Sequence, residues 1–182
     1  MESSLFKKYE IISKVNNQTI EEYKEIVPKE LLSVWREYGY GCMLDGYLKV
    51  INPDEYRSII EISYFRADVA VPILVTAFGD IITWEENKYI GIIKYKEGSF
   101  KIISSGFKYL FNDLQDSYFL EKYLEIDKYN EAVAKHGELN FDECFGYVPL
   151  LGLGGSEKVE NLKKVKIKEH IELITQLVGR IE

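Results

Sequence analysis

His136 and His170 are the two histidines of the chain, and they are the side chains best suited to acid–base chemistry near neutral pH. A Ser-His-Asp or Cys-His nucleophile system would need one of them beside its nucleophile. The chain has no GxSxG elbow and no HExxH motif, and the HxE fragment at His170 lacks the PCxxC half of a zinc deaminase. We place His136 at a helix C-terminus and His170 on a partly exposed surface. The sequence therefore predicts no catalytic residue, no metal site and no cofactor.

A second candidate site is the glycine-rich stretch at residues 152–157, because backbone N–H groups at a helix start can bind phosphate. The stretch lacks the Gly-Lys-Ser/Thr of a Walker loop, and Glu157 stands where a dinucleotide-binding fingerprint has its third glycine. We therefore assign the glycines to a tight turn that leads into a short helix, with Ser156 as its cap and Glu157 in its first turn. The glycines of this turn are Gly152, Gly154 and Gly155.

Acidic residues are concentrated in one segment of the chain. The net charge of −7 argues against a general nucleic-acid binder, which needs clustered Lys and Arg. Residues 111–145 contain nine acidic residues and three lysines, a net charge of −6, with aromatic residues interleaved. Two interpretations stay open: a solvated helical face, or a docking surface for a basic protein in which tyrosines serve as buried anchors. The candidate docking residues are Asp113, Asp116, Tyr118, Glu121, Tyr123 and Glu125, with the carboxylates expected to be exposed.

The elements that position these residues begin with a predominantly helical region of about 40 residues. Its clearest helix is predicted to start at Pro28 and to end before Gly39, with an apolar face directed at the core. A short strand at 47–51 follows, and a second helix is predicted from Pro53 to Ile62, capped by Asn52.

Between Val71 and Ser104 the apolar period changes to that of strands separated by turn residues, which indicates an antiparallel meander. We expect the sheet to extend from about Gly46 to Ser104. From Phe107 the pattern is helical again, with a final helix from about Lys168. The predicted fold is α+β, an antiparallel sheet flanked by helices, with a small, mainly helical C-terminal subdomain.

Three features of the sequence indicate the cellular compartment of the protein. The longest apolar stretch, at 69–77, is too short to cross a membrane, and the first residues do not resemble a secretory signal. Cys42 and Cys144 are predicted to be reduced and buried. We therefore expect a cytoplasmic protein without membrane contact.

Residues 145–179, FGYVPLLGLGGSEKVENLKKVKIKEHIELITQLVG, resemble the C-terminal domain of immunity proteins paired with type VI secretion DNase effectors. Upstream, PKELLSVWREYGYG and DGYLKVINPDEY are similar to the GAD-like domain that precedes it in that family. The resemblance implies a GAD-like domain at 1–108 and an immunity-type domain at 109–182. It also implies a protein that binds and blocks a cognate toxin without catalysis. The expected partner is a basic nuclease, and direct contact with nucleic acid is not expected.

Two other classes of function stay open. One is a regulatory or interaction module without a toxin partner, since the Pro-x-x-Leu and Trp of the first helix are also similar to the SUKH superfamily. The other is a small enzyme that uses carboxylates and tyrosines. If the acidic segment is only a solvated face, toxin binding would have to rely on loops of the 71–104 sheet or on residues 151–156.

Overall fold

A computed structural model describes residues 4–182 and contains one large antiparallel sheet with helices on both of its faces. Seven strands lie side by side in chain order, and every neighbouring pair is antiparallel. The strands are β1 (Glu10–Ser13), β2 (Tyr40–Met43), β3 (Leu48–Val50), β4 (Ala70–Thr76), β5 (Ile81–Glu85), β6 (Tyr89–Lys94) and β7 (Ser99–Ser104). A separate two-stranded sheet pairs β8 (Glu143–Tyr147) with β9 (Leu162–Lys166).

The α-helices lie before, between and after the strands of the large sheet. They are α1 (Asn17–Tyr23), α2 (Lys29–Glu37), α3 (Pro53–Ser63), α4 (Phe107–Asp113), α5 (Ser117–Leu124), α6 (Ile126–His136) and α7 (Ile167–Val178). Short 3₁₀ turns occupy Ser4–Phe6, Tyr95–Glu97, Leu151–Leu153 and Val159–Asn161. The α+β class and the meander between Val71 and Ser104 are confirmed. None of the helices within 4–182 is both long and apolar enough to cross a membrane.

Helix boundaries follow the local signals of the sequence. Pro28 precedes α2 with extended backbone, and Gly39 ends it with a φ of +80°, a conformation that glycine adopts without steric cost. The side chain of Asn52 accepts a hydrogen bond from the Asp54 N–H at 3.1 Å, so α3 begins with the predicted cap.

The sheet begins earlier than the sequence predicts, because β1 lies in the region expected to be helical and β2 lies in the segment before the first predicted strand. All four residues of β1 are exposed, so this edge strand has none of the alternation that identifies a half-buried strand. A Cβ at Gly41 in β2 would lie 2.2 Å from the Glu10 carbonyl oxygen. The two strands can therefore pair only because residue 41 has no side chain.

Alternation along the central strands divides the core into two layers. Ile82 and Ile92 are register partners that face α1, α2 and α4 to α6. Ile81 and Ile93 are partners on the opposite face, where α3 and α7 pack together. The first layer includes both Phe107 and strands β3 to β6, so the core is continuous across residue 108. The domain boundary at that residue stays a prediction.

Candidate functional site

Helices α4 to α6 carry the acidic segment and display much of its charge to solvent. Within the part of the chain that the structure describes, six of the nine acidic residues of 111–145 form no ion pair. These six are Asp113, Asp116, Glu121, Asp127, Glu131 and Glu138. We call the surface formed by these residues the acidic face.

Three predicted docking carboxylates of the acidic face also organise the local backbone. Asp116 caps α5 by accepting a hydrogen bond from the Phe119 N–H at 2.8 Å. Glu121 accepts from the Asp127 N–H at 3.0 Å, and Asp113 accepts from the Ser104 hydroxyl at 3.1 Å. Asp116 and Glu121 are exposed, as predicted, whereas Asp113 is half-buried, and each holds a helix end or a strand end in place.

The two predicted tyrosine anchors differ in burial. Tyr118 is 70% exposed in the free protein, and its role as an anchor in a complex stays a prediction. Tyr123 is half-buried, and its ring lies 4.9 Å from that of Phe119. The Lys122 ammonium lies 5.3 Å and 5.1 Å from the rings of Tyr118 and Tyr123. The two rings therefore share one cation on the outside of α5.

Glu125, the sixth predicted docking residue, is not a free surface charge. Its side chain is 20% exposed and pairs with Lys96 and, at 2.5 Å, with Lys128. Burial raises the pKa of Glu125, but hydrogen bonds from Lys128 and Lys96 outweigh burial and lower the pKa to about 2. Glu157 joins the same cluster, 2.8 Å from Lys128 and 3.4 Å from Lys96. The expectation of an exposed Glu125 is therefore wrong, because Lys128 of the same helix region and the chain-distant Lys96 enclose it.

The glycine-rich turn has a different continuation from the one predicted. No helix starts at Ser156: its side chain caps nothing, and its carbonyl accepts a hydrogen bond from the Asn161 side chain at 2.9 Å. Glu157 accordingly lies in the ion cluster and not in a first helical turn. The following residues from Leu162 instead form β9, because pairing with β8 buries the apolar side of that strand.

Each glycine of the turn meets a different constraint. Gly154 has a φ of +83°. A Cβ at Gly155 would lie 2.1 Å from the Pro149 carbonyl oxygen, and one at Gly152 would lie 3.0 Å from a methyl carbon of Leu177. Backbone geometry and close packing therefore account for all three glycines.

An apolar cleft of about 330 Å³ lies between the glycine-rich turn and the C-terminal half of α7. Leu177 and Val178 line it and are 40% and 52% exposed, and Leu153, the next residue in the chain after Gly152 of the lining, is 63% exposed. Buried residues form its base, among them His170, which corrects the expectation of a partly exposed histidine. Burial lowers the pKa of His170, and a Cβ at Gly146 would lie only 2.5 Å from its ring.

Sequence reasoning missed this cleft because its walls come from separate parts of the chain. Val178 belongs to the apolar stripe of α7, but the helix ends there and leaves the side chain exposed. The apolar run before Gly152 was the one available signal.

The other side chains that could take part in chemistry have structural roles in the fold. The fully buried carboxylate of Glu85 accepts hydrogen bonds from Tyr64 at 2.9 Å, Thr83 at 2.7 Å and Arg66 at 2.9 Å. His136 ends α6, as predicted, and its Nε2 lies 2.8 Å from the Val159 carbonyl oxygen. Within residues 4–182, no group of three or more His, Cys, Asp and Glu side chains is placed to hold a metal ion.

Two family models match parts of the chain. A family model described as "T6SS immunity protein Tdi1, C-terminal" matches residues 104–178, and the model for the GAD-like domain matches residues 3–96. The chain belongs to the type VI secretion immunity family. Both the acidic face and the apolar cleft of this immunity protein lie largely within the C-terminal match.

The fold has a counterpart among solved structures. The crystal structure of Atu4351 from Agrobacterium tumefaciens superimposes with a TM-score of 0.79 at 18% sequence identity. The similarity covers 94% of this chain and 86% of that one, and at this identity it establishes the fold alone. Among curated proteins, none matches the sequence.

Proposed function

We propose that this immunity protein neutralises its cognate toxin by binding it in a one-to-one complex, and that the toxin is a basic nuclease. The observation that carries the proposal is the acidic face, where six carboxylates have no internal cation and are available to a partner. A nuclease needs a positively charged groove to hold DNA. Charge complementarity between such a groove and the acidic face would speed association and favour the correct partner.

Neutralisation by binding requires no catalytic group, and the proposed mechanism has none. The partner would be blocked because its positive surface is covered by the acidic face. We place the complex in the cytoplasm, where the toxin would meet DNA. Free, buried thiols at Cys42 and Cys144 are in keeping with that compartment, and burial raises their pKa to about 11 and about 12.

The test uses the toxin domain encoded by the gene adjacent to that of this protein. Cells that express this domain should lose viability, and co-expression of the immunity protein should restore growth. With purified components, DNA cleavage should fall linearly as the immunity protein is added and should stop at a 1:1 ratio. An unrelated basic nuclease is the control and should stay active.

Three results would contradict the proposal. If co-expression does not restore growth, the protein is not an immunity protein for this toxin. Inhibition that is complete far below a 1:1 ratio would indicate catalysis instead of binding. A toxin domain that kills without cleaving DNA would leave neutralisation in place and overturn the nuclease assignment.

A further inference from the structure

We propose that the cleft between the glycine-rich turn and α7 receives an apolar side chain of the toxin, carried on a segment with neighbouring Lys or Arg residues. This inference rests on the proposed function and assigns a second part of the binding surface. It adds an anchoring contact to the electrostatic one, and the two contacts control different rate constants.

The cleft has the construction of an anchor site. Its base is formed by side chains that are already buried, including Ile174 and Ile181. Leu177 and Val178 are exposed at its rim, and covering these apolar side chains would be energetically favourable. The volume of about 330 Å³ is at the lower end of the range of roughly 300–1,000 Å³ for ligand pockets, a size that suits one or two side chains.

The apolar rim also continues along the molecule. Val148 and Leu173 are exposed beside a smaller depression that shares Tyr147, Leu150 and His170 with the cleft. Exposed apolar residues that adjoin one another are typical of interaction sites, whereas single ones are ordinary surface.

The residues beside the cleft indicate that the bound toxin segment carries positive charge. Lys96 lines the cleft and pairs with Glu157, which also pairs with Lys128, the residue after Asp127 of the acidic face. This ion cluster therefore links the cleft to the acidic face, and a segment that spans both would meet apolar surface and then negative charge.

The two cations at the cleft already form contacts within the protein. Lys96 pairs with Glu125 and Glu157. Arg180 donates a hydrogen bond to the Tyr64 carbonyl oxygen at 2.7 Å. An anionic ligand at Lys96 would have to displace its ion pairs, whereas an apolar side chain would not.

The experiment measures binding kinetics between the purified toxin domain from the adjacent gene and three immunity-protein variants. Leu177→Ala and Val178→Ala each truncate the rim of the cleft. Ile62→Ala truncates a residue of similar exposure, 56%, on α3 and outside the cleft. Thermal unfolding of all variants verifies that the fold is retained, which exposed positions should allow.

We expect each cleft variant to raise the dissociation rate constant about tenfold or more, the effect of losing an interface anchor. The association rate constant and its salt dependence should stay within about twofold of the wild-type values, because no charge changes. Ile62→Ala should leave both rate constants at wild-type values.

Other outcomes overturn the inference in distinguishable ways. If the wild-type protein binds and protects cells while the cleft variants dissociate no faster than Ile62→Ala, the cleft is not a contact and the proposed function stands. If the wild-type protein neither binds nor protects, both proposals fail. If the protein alone sediments as a dimer that Leu177→Ala dissociates, the occupant is a second copy and not the toxin.

Discussion

Lys128 donates a hydrogen bond to Glu157 over 2.8 Å and so joins the first turn of α6 to the segment that follows the glycine-rich turn. The same ammonium lies 2.5 Å from Glu125, and Lys96 contacts both carboxylates. Four charged side chains from three separate parts of the chain thus form one cluster. Because the cluster lies between the acidic face and the apolar cleft, its integrity sets the relative position of the two proposed contact surfaces.

The two carboxylates of this cluster should differ in their contribution to stability. Glu125→Gln removes the charge opposite two lysines in a site that is 20% exposed, and we expect it to lower the free energy of unfolding by about 2–3 kcal/mol. Glu157→Gln acts at a side chain that is 50% exposed and should cost less than about 1 kcal/mol. Urea unfolding at pH 7 measures both. Equal losses for the two variants would show that burial of Glu125 has no energetic role.

Charge removal on the acidic face should slow toxin binding without disturbing the fold. The amide variant Asp113→Asn, Asp116→Asn, Glu121→Gln keeps every hydrogen-bond acceptor described above and removes three negative charges. We expect the association rate constant with the toxin domain to fall several-fold at low salt, with a smaller difference at high salt.

The matched control for this variant changes the net charge equally at exposed positions on and near the N-terminal helices: Glu22→Gln, Glu25→Gln, Glu37→Gln. It should alter association much less, because steering depends on charges that face the partner. If the two triple variants slow association equally, only the net charge matters and the acidic face is a solvated surface.

Sequence analysis predicts correctly those elements of the fold that depend on residues close together in the chain. The α3 cap at Asn52 and the turns between β4 and β7 depend on neighbouring residues, and their prediction is confirmed. Strand β1 could not be recognised, since its residues are all exposed and its pairing depends on Gly41, some 30 residues away. Burial of Glu125 was missed for the same reason: its lysine partner Lys96 comes from the sheet region.

Asp80 should make stability depend on pH in the opposite direction from a carboxylate whose pKa is lowered by ion pairs, such as Glu125. Complete burial raises its pKa to about 7, although Lys94 and Lys96 oppose the shift. Between pH 4 and pH 7 the unfolded chain releases this proton while the folded protein keeps it. The contribution of Asp80 to stability therefore falls as pH rises through that range and levels off above pH 7.

Asp80→Asn removes this titration and retains an oxygen that can accept the hydrogen bond from the Tyr95 N–H, 3.2 Å long in the wild type. We expect the variant to gain stability relative to the wild type as pH rises from 4 to 7, by up to about 1.4 kcal/mol per pH unit. Urea unfolding at pH 4.5, 5.5, 6.5 and 7.5 measures the difference. A difference that stays constant over this range would show that Asp80 is already ionised in the folded protein.

The three glycines of the turn should respond to alanine substitution in a fixed order. Gly155→Ala should be the most destabilising, at several kcal/mol, because its Cβ would lie 2.1 Å from a carbonyl oxygen that cannot rotate away. Gly154→Ala has open space but a φ of +83°, so backbone strain should cost about 1–2 kcal/mol. Gly152→Ala meets only side-chain atoms, those of Leu177 and Val178, and should cost less than either. Thermal and urea unfolding of the three variants establish the order, with Gly98→Ala as a second site of positive φ, +60°, and open space.

Gly154→Ala should match Gly98→Ala within about 1 kcal/mol, since both have strain without a clash. If Gly154→Ala instead leaves stability unchanged and abolishes binding of phosphate or a nucleotide, the turn is a ligand site and not a structural one.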